Sequence, residues 1–472
     1  MRLQLVVIVA VAAAAGFVGS SSCAPPAQMH VGPVWKPGVV YPPETQTVRG
    51  FRDVRGLVHA HSVYSHDACD GKPVLDDGTR DPVCFEDFRR GLCQSQHDFV
   101  FVTDHKDAFD DVEFPAALLY RADEGDVLLG DGRANRITCD DGHTALVMAG
   151  NEGGMMPVGI ESHLVDGHDA RDAVYGAQTA DAAQQLHDHG AVVLLAHPED
   201  FDVDTLASLP VEGFEMYNLH ANTLLGAGQV LDVLVRWGEG DTTIVAPDLL
   251  VMELWSEDPR YIQRWGNVLA RGKHVVTTMG TDCHRNTFPS IMEDGERADS
   301  YRRMMIAFSN HLRVTPADDG TVDDRVLKEA LHAGRNWGAF EMMGYPVGFD
   351  SFAVDAHGDV VEMGDTAPVG SKIVVVRPAV KDLDPSREAP TITLRILRAT
   401  DDDAGFEVVA SSTTADKLEV TMDEAGAYRA EVRMMPLHLR QDMRADADVL
   451  LDQKIANGQD YVWIYAGAIY AQ

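Results

Sequence analysis

Histidines and acidic residues recur where short apolar runs of this chain end. His59 and His61, in GLVHAH, are two apart, so on an extended strand they share a face and both imidazoles can reach one ion. His66 and Asp67 follow at once in HAHSVYSHDA. FVFVTDH ends in Asp104 and His105, and ALVMAGNE ends in Glu152, with Glu161 and His163 next in GIESHL. AVVLLAHP ends in His197, GFEMYN carries Glu215 and precedes His220, and HVVTTMGTDCH ends in Asp282, Cys283 and His284. One such histidine could be a strand cap or a satisfied core group. So many together point to a metal centre, and imidazole plus carboxylate without thiolate suits zinc, manganese or iron.

These groups need elements that bring them together. Each run begins apolar and ends polar, as strands buried on both faces of a parallel sheet do where they emerge. Helical patterns lie between them: 177–190 stopping at Gly190, 259–273 with Gly272 near its end, and 323–337 with Gly334 near its end. Alternating β and α units predict an α/β fold with a parallel sheet or barrel, whose strand C-termini converge on one face. From about residue 350 the texture changes to short strand-like runs such as SKIVVVRPAV, TITLRILRA and YVWIYAGAIYAQ, separated by Asp/Gly/Pro turns. That pattern predicts a β-sandwich with no ligand of its own and a buried final strand. HLRQDMRADADVLLDQK reads as either a helix or a loop. The expected domains are a signal peptide at 1–22, a Pro-rich tether at 23–49, a metal-dependent hydrolase unit at 50–345 and the sandwich at 346–472.

The ordered series HxHSxxS, TDH, AGxE, a later His, AHP and GTDxH resembles the PHP superfamily, named for polymerase-associated and histidinol-phosphatase members. The resemblance covers about residues 55–340. It implies a distorted (β/α)7 barrel, a site for two or three divalent ions and, for a stand-alone member, phosphoesterase activity. Carried over residue by residue, it makes His59, His61, Asp67, His105, Glu152, His163, His197, Asp282 and His284 metal ligands, with Glu152 bridging two ions. Glu161 competes for the bridge, and His66 competes with Asp67, because Ser65-His66-Asp67 stands where many members have Ser-Asp-Gly. Glu215 matches a recurrent family residue that need not bind metal.

On that reading the Asp67, Glu152 and Asp282 carboxylates leave two or three divalent ions undercharged, so the site attracts a small phosphorylated substrate. A metal-held hydroxide then attacks phosphorus, and His197 or His284 protonates the leaving alcohol. Lys106, Arg285 and His220 are the expected substrate contacts, with Arg133 and Arg136 in an insertion that could carry substrate loops. His187 and His189 are expected to face solvent. Two other readings stay open. One is an amidohydrolase-like enzyme acting on a C–N or C–O bond, although no carboxylated-lysine position is evident. The other is a surface binding protein with an inert barrel.

Composition narrows the classes further. The 472 residues carry 39 Lys+Arg against 74 Asp+Glu, a formal charge of −35. Apolar residues at 45% exclude wholesale disorder. The charge and the scattered Trp residues argue against nucleic-acid polymers as partners. Arg2, the apolar run Leu3–Val18 and the small residues after it form a secretory signal layout. Cys23 resembles the lipidated cysteine of bacterial lipoproteins, although Ser20 stands where a Leu-like residue is usual. The expectation is an exported protein anchored at the envelope through lipid on Cys23, or otherwise periplasmic or secreted. Export permits disulfides. Cys84 and Cys93 could close a short loop, with Cys69 and Cys139 as further partners, and connectivity stays open.

Overall fold

The computed structural model describes residues 46–225, 247–254, 257–292, 294–442 and 454–472. The expected signal peptide, Cys23 and most of the tether lie outside the described residues, as does 443–453 of the ambiguous HLRQDMRADADVLLDQK run.

The N-terminal part contributes β1 (Gln46–Val48), β2 (Phe51–Leu57), β3 (Phe99–Val102), β4 (Val127–Leu129), β5 (Ala134–Thr138) and β6 (Thr144–Gly150). It continues with β7 (Met156–Ile160), β8 (Val192–Leu194), β9 (Gly213–Asn218), β10 (Val276–Gly280), β11 (Ser309–Val314) and β12 (Asn336–Ala339). The C-terminal part adds β13 (Pro346–Val347), β14 (Asp350–Val354), β15 (Val360–Val361), β16 (Thr366–Ala367), β17 (Lys372–Val376) and β18 (Ala379–Val380). It ends with β19 (Thr391–Ala399), β20 (Phe406–Ser412), β21 (Lys417–Thr421), β22 (Gly426–Met435) and β23 (Tyr461–Ala471).

The expected (β/α)7 barrel is not what forms. A mixed 15-stranded sheet runs β20-β19-β22-β23-β12-β11-β2-β3-β6-β5-β4, with β1, β7, β8 and β16 attached, and it does not close. The reason lies in strand direction. β2, β3 and β6 are parallel, but β7 returns antiparallel to β6 and β8 antiparallel to β7. On the other side β11 is antiparallel to β2 and β12 to β11. Between β3 and β6 the chain makes the antiparallel pair β4–β5. β9 and β10 form a separate parallel pair. Main-chain bonds tie that pair to the large sheet: Leu195 N–H donates to Gly213 O at 3.0 Å, and Asp282 N–H donates to His59 O at 3.1 Å.

The separate sandwich domain is corrected too. β19, β20, β22 and β23 belong to the same sheet as β2, because β23 pairs with β12 through Trp337↔Ala466. The sheet therefore crosses the expected junction at 345–346. A four-stranded sheet, β15-β14-β17-β21, shares one apolar cluster with these strands through Ile373, Val375, Leu394, Ile396, Val432 and Trp463. The aromatic final run forms β23, with every residue buried.

Helices form near where their stop signals predict. Ala180–Asp188 is capped by Thr179, whose hydroxyl accepts from Ala182 N at 3.2 Å, and Asp323 caps Asp324–His332. Gly190 and Gly334 follow these helices at φ 79° and 70°, a conformation that favours glycine. Two disulfides join Cys69 to Cys84 and Cys93 to Cys139, so the Cys84–Cys93 loop does not form; Cys283 is a buried free thiol. No helix among the described residues is long and apolar enough to cross a membrane.

Candidate metal centre

The ligand-bearing residues lie just past the strand ends. β2 stops at Leu57, the chain bends at Val58 and His59, and Ala60 then bridges to Cys283, with His61 N–H donating to Cys283 O at 3.1 Å. That contact sets His59 and His61 beside Asp282 and His284. An isolated bridge between His105 and Glu152 brings the ends of β3 and β6 together in the same way.

The side chains then converge. His61 Nε2 lies 3.1 Å from Asp282 Oδ1 and 3.4 Å from Glu152 Oε2; His59 Nε2 lies 3.4 Å from Asp282 Oδ1. His105 Nδ1 is 2.9 Å from Glu152 Oε2, and His197 Nε2 is 3.1 Å from Glu152 Oε1. Asp67 spans His105 and His284, each at 3.4 Å. The His61 and His284 rings stack at 3.8 Å. His59, His61, Glu152 and Asp282 could hold a metal ion, and so could His61, His105 and His284. The donor set fits a divalent ion on a second ground. Glu152 Oε2, Asp282 Oδ1 and His284 Nε2 are buried and make no well-directed hydrogen bond, although an imidazole or carboxylate stands 2.9–3.4 Å from each, and a buried polar atom left so costs about 1–3 kcal/mol when nothing compensates it.

Groups around the cluster aim these ligands. Glu215 Oε1 takes the His59 Nδ1 position at 2.6 Å, leaving Nε2 to face the cluster. Gly280 permits this, because a Cβ there would lie 1.9 Å from Glu215 Oε1. Asp104 accepts from Ser62 N at 2.6 Å and from Ser62 Oγ at 2.7 Å, fixing the turn after His61. Glu199 sits 3.2 Å from His197 Nδ1, and Asn218 Nδ2 donates to Glu215 and Asp282 at 3.1 and 3.3 Å. His197 and Asp282 both adopt left-handed backbone, φ 51° and 50°, at a cost of about 1–3 kcal/mol each.

The electrostatics follow from burial against charge. Burial depresses His105, but Asp67 and Glu152 outweigh it and raise it to about 10. Burial would raise Glu152, yet His105 and His197 hold it well below the usual carboxylate range. Asp282 is held low against burial by His59 and His61. Burial, then His61, pushes His284 down to about 3, so its ring is neutral and fit to ligate but poorly suited to give up a proton.

Not every expected site residue joins the cluster. His163 is a correction: its Nδ1 meets Tyr175 Oη at 3.0 Å and its Nε2 meets Val112 O at 2.7 Å, so both ring nitrogens are used elsewhere. Glu161, the competitor for the bridge, pairs with Lys328 at 2.7 Å. His66 is exposed beside Asp107, which leaves Asp67 as the residue that reaches the cluster. Lys106 is paired with Asp172, and Arg285 Nε lies 2.8 Å from Asp87, so both expected phosphate contacts already have acidic partners. His220, by contrast, does reach the cluster: half-buried, with its Nδ1 3.8 Å from Asp282 Oδ2 and its ring 5.4 Å from that of His284, it forms with those two a further trio that could hold an ion. Glu199 and Asn218 were not foreseen; an acidic residue two places after His197 was the only signal for either.

No family model matches the chain. No curated protein matches it either. Among solved structures, PsfC from Pseudomonas syringae is similar at 14% identity and a TM-score of 0.33, over 61% of this chain and 91% of that one. A likeness of that size shows neither fold nor function.

Proposed function

We propose that the chain is an exported, metal-dependent phosphoesterase with a centre of the kind the PHP motif series implies. The observation that carries this reading is the convergence of His59, His61, Asp67, His105, Glu152, His197, Asp282 and His284 around buried ligand atoms that lack a well-directed hydrogen bond. Two or more divalent ions, zinc, manganese or iron, would supply Lewis acidity toward phosphoryl oxygens and an activated water. Glu152, with both oxygens facing imidazoles, would be the carboxylate shared between two ions. The carboxylates Asp67, Glu152 and Asp282 do not neutralise two such ions, so a phosphate ester is drawn in despite the acidic surface. His197 has its Nε2 3.1 Å from Glu152 and its Nδ1 3.2 Å from Glu199, so it would serve either as a neutral ligand or as the proton donor to the leaving alcohol, and the metal count decides which. His220, open at the rim, is the better-placed substrate contact than Lys106 or Arg285. An amidohydrolase reading gains no support, since Lys106 and Lys328 are both engaged with acidic partners away from the cluster.

The test is metal analysis of the purified chain with a panel of phosphomonoesters and diesters. Phosphate release that a chelator abolishes and divalent metal restores is expected. A fully metallated protein inert toward the whole panel overturns the proposal. Anchoring through Cys23 is checked by mass spectrometry of the mature N-terminus, where lipid on Cys23 is expected and an unmodified terminus beyond it refutes anchoring.

A further inference from the structure

We propose that His187, Glu212 and His332 form a second, surface metal site for one Zn²⁺ or similar borderline cation, sharing no residue with the cluster above. Their ligand atoms lie within 4.8 Å of one another. His187 Nε2 is 3.5 Å from Glu212 Oε1, and His332 Nδ1 hydrogen-bonds to the same oxygen. Two imidazoles and a carboxylate are a zinc donor set.

The trio is built rather than casual. The other oxygen of Glu212 accepts from Val193 N at 2.5 Å, which fixes the carboxylate and turns Oε1 toward the histidines. His187 stands in the last turn of Ala180–Asp188, and His332 in the last turn of Asp324–His332. Two helix C-termini, each with partial negative charge, therefore meet at Glu212, and a cation there is favoured by all three. The helices are held rigidly on opposite faces of β8. Leu186 packs with Ala191 and Val193 on one face; Leu327 and Leu331 pack with Val192 and Leu194 on the other. His187 and His332 are 52% and 59% exposed, so water completes the coordination and the ion enters directly. Zinc bound here clips two layers whose ligands are far apart in sequence, and it stabilises the folded chain by mass action. Protons compete for the same imidazoles, so affinity falls with acid.

The experiment is equilibrium dialysis of the full chain against zinc, with metal analysis and melting curves, for wild type, His332→Ala and Glu212→Gln. Each variant is expected to hold one zinc fewer than wild type and to lose most of the zinc-dependent rise in Tm. It should keep phosphate release if the cluster is an esterase, but the zinc count stands whether or not it is. In the Glu152→Gln background the same difference of one zinc is expected. Equal zinc content and an equal zinc-dependent Tm in wild type and both variants overturn the proposal. A Tm lowered equally with and without zinc, at unchanged zinc content, also overturns it, because the trio is then only an ion pair.

Discussion

Replacing Glu215 by Gln tests how the centre is aimed. Glu215 Oε1 lies 2.6 Å from His59 Nδ1, and both side chains are 0% exposed. Its second oxygen accepts from Asn218 Nδ2 at 3.1 Å and from His197 N–H at 3.3 Å. A glutamine fills the same space but has only one acceptor oxygen. Turned toward His59, it leaves its NH₂ against two donors; turned the other way, it offers His59 no acceptor and frees the ring to change tautomer. The loss is one buried charge-assisted bond, about 1.5–3 kcal/mol. At about 1.4 kcal/mol per decade, that weakens metal binding by about 10–100-fold. Outer partners of metal-bound imidazoles show the same range of about 10–100-fold. The assay is competition for metal against a coloured chelator, with a melt in excess chelator to show that the fold is intact. An unchanged affinity in a folded Glu215→Gln protein refutes the aiming role.

Glu152→Gln should empty part of the cluster and abolish phosphate release, whereas Glu161→Gln should leave metal content unchanged because Glu161 serves Lys328; metal analysis separates the two. Trp463→Ala, at a side chain 0% exposed whose indole donates to Gly344 O at 2.9 Å, should cost about 3–5 kcal/mol in urea unfolding. Glu341 is held well below the usual carboxylate range because Arg55 and His311 outweigh burial. Its contribution is therefore complete above the unfolded value of about 4.3 and is lost as pH falls below that. Glu341→Gln should be less stable at neutral pH, by about 3–5 kcal/mol for a broken buried pair, with a shallower acid limb in pH-dependent melts.

Much of the centre was legible in the sequence, because a strand that turns polar where it leaves the sheet marks the residues that meet there. His59, His105, Glu152, His197 and Asp282 were found in that way. His163 was misplaced because its role came from the resemblance, in which a ligand histidine closely follows the bridging glutamate, and this fold does not keep that spacing in space. The antiparallel turn into β7 carries it off to Tyr175 instead. Glu199 escaped notice because it supports His197 from the side, against Tyr261 of a distant helix, and nothing in HPED separates a supporting carboxylate from a loop residue. The apolar runs were found as strands, but a run such as MPVGI does not reveal its direction. Parallel and antiparallel neighbours demand the same apolar faces here, and the choice between barrel and open sheet turned on that. The pairing of Trp337 with Ala466 joins segments too distant for any local pattern to announce.

That pairing sets an order of events for a growing chain. β23 lies between β22 and β12, so each keeps one open side until Tyr461–Ala471 has been made. A nascent chain halted before that point presents two raw strand edges, with unpaired N–H and C=O groups ready to recruit another molecule. The half that carries the metal cluster has an incomplete sheet until the C-terminal strands arrive. Such a chain suits a route in which it is kept unfolded until β23 has been made, and a ribosome that stalls before it yields an aggregation seed rather than a shortened but folded protein.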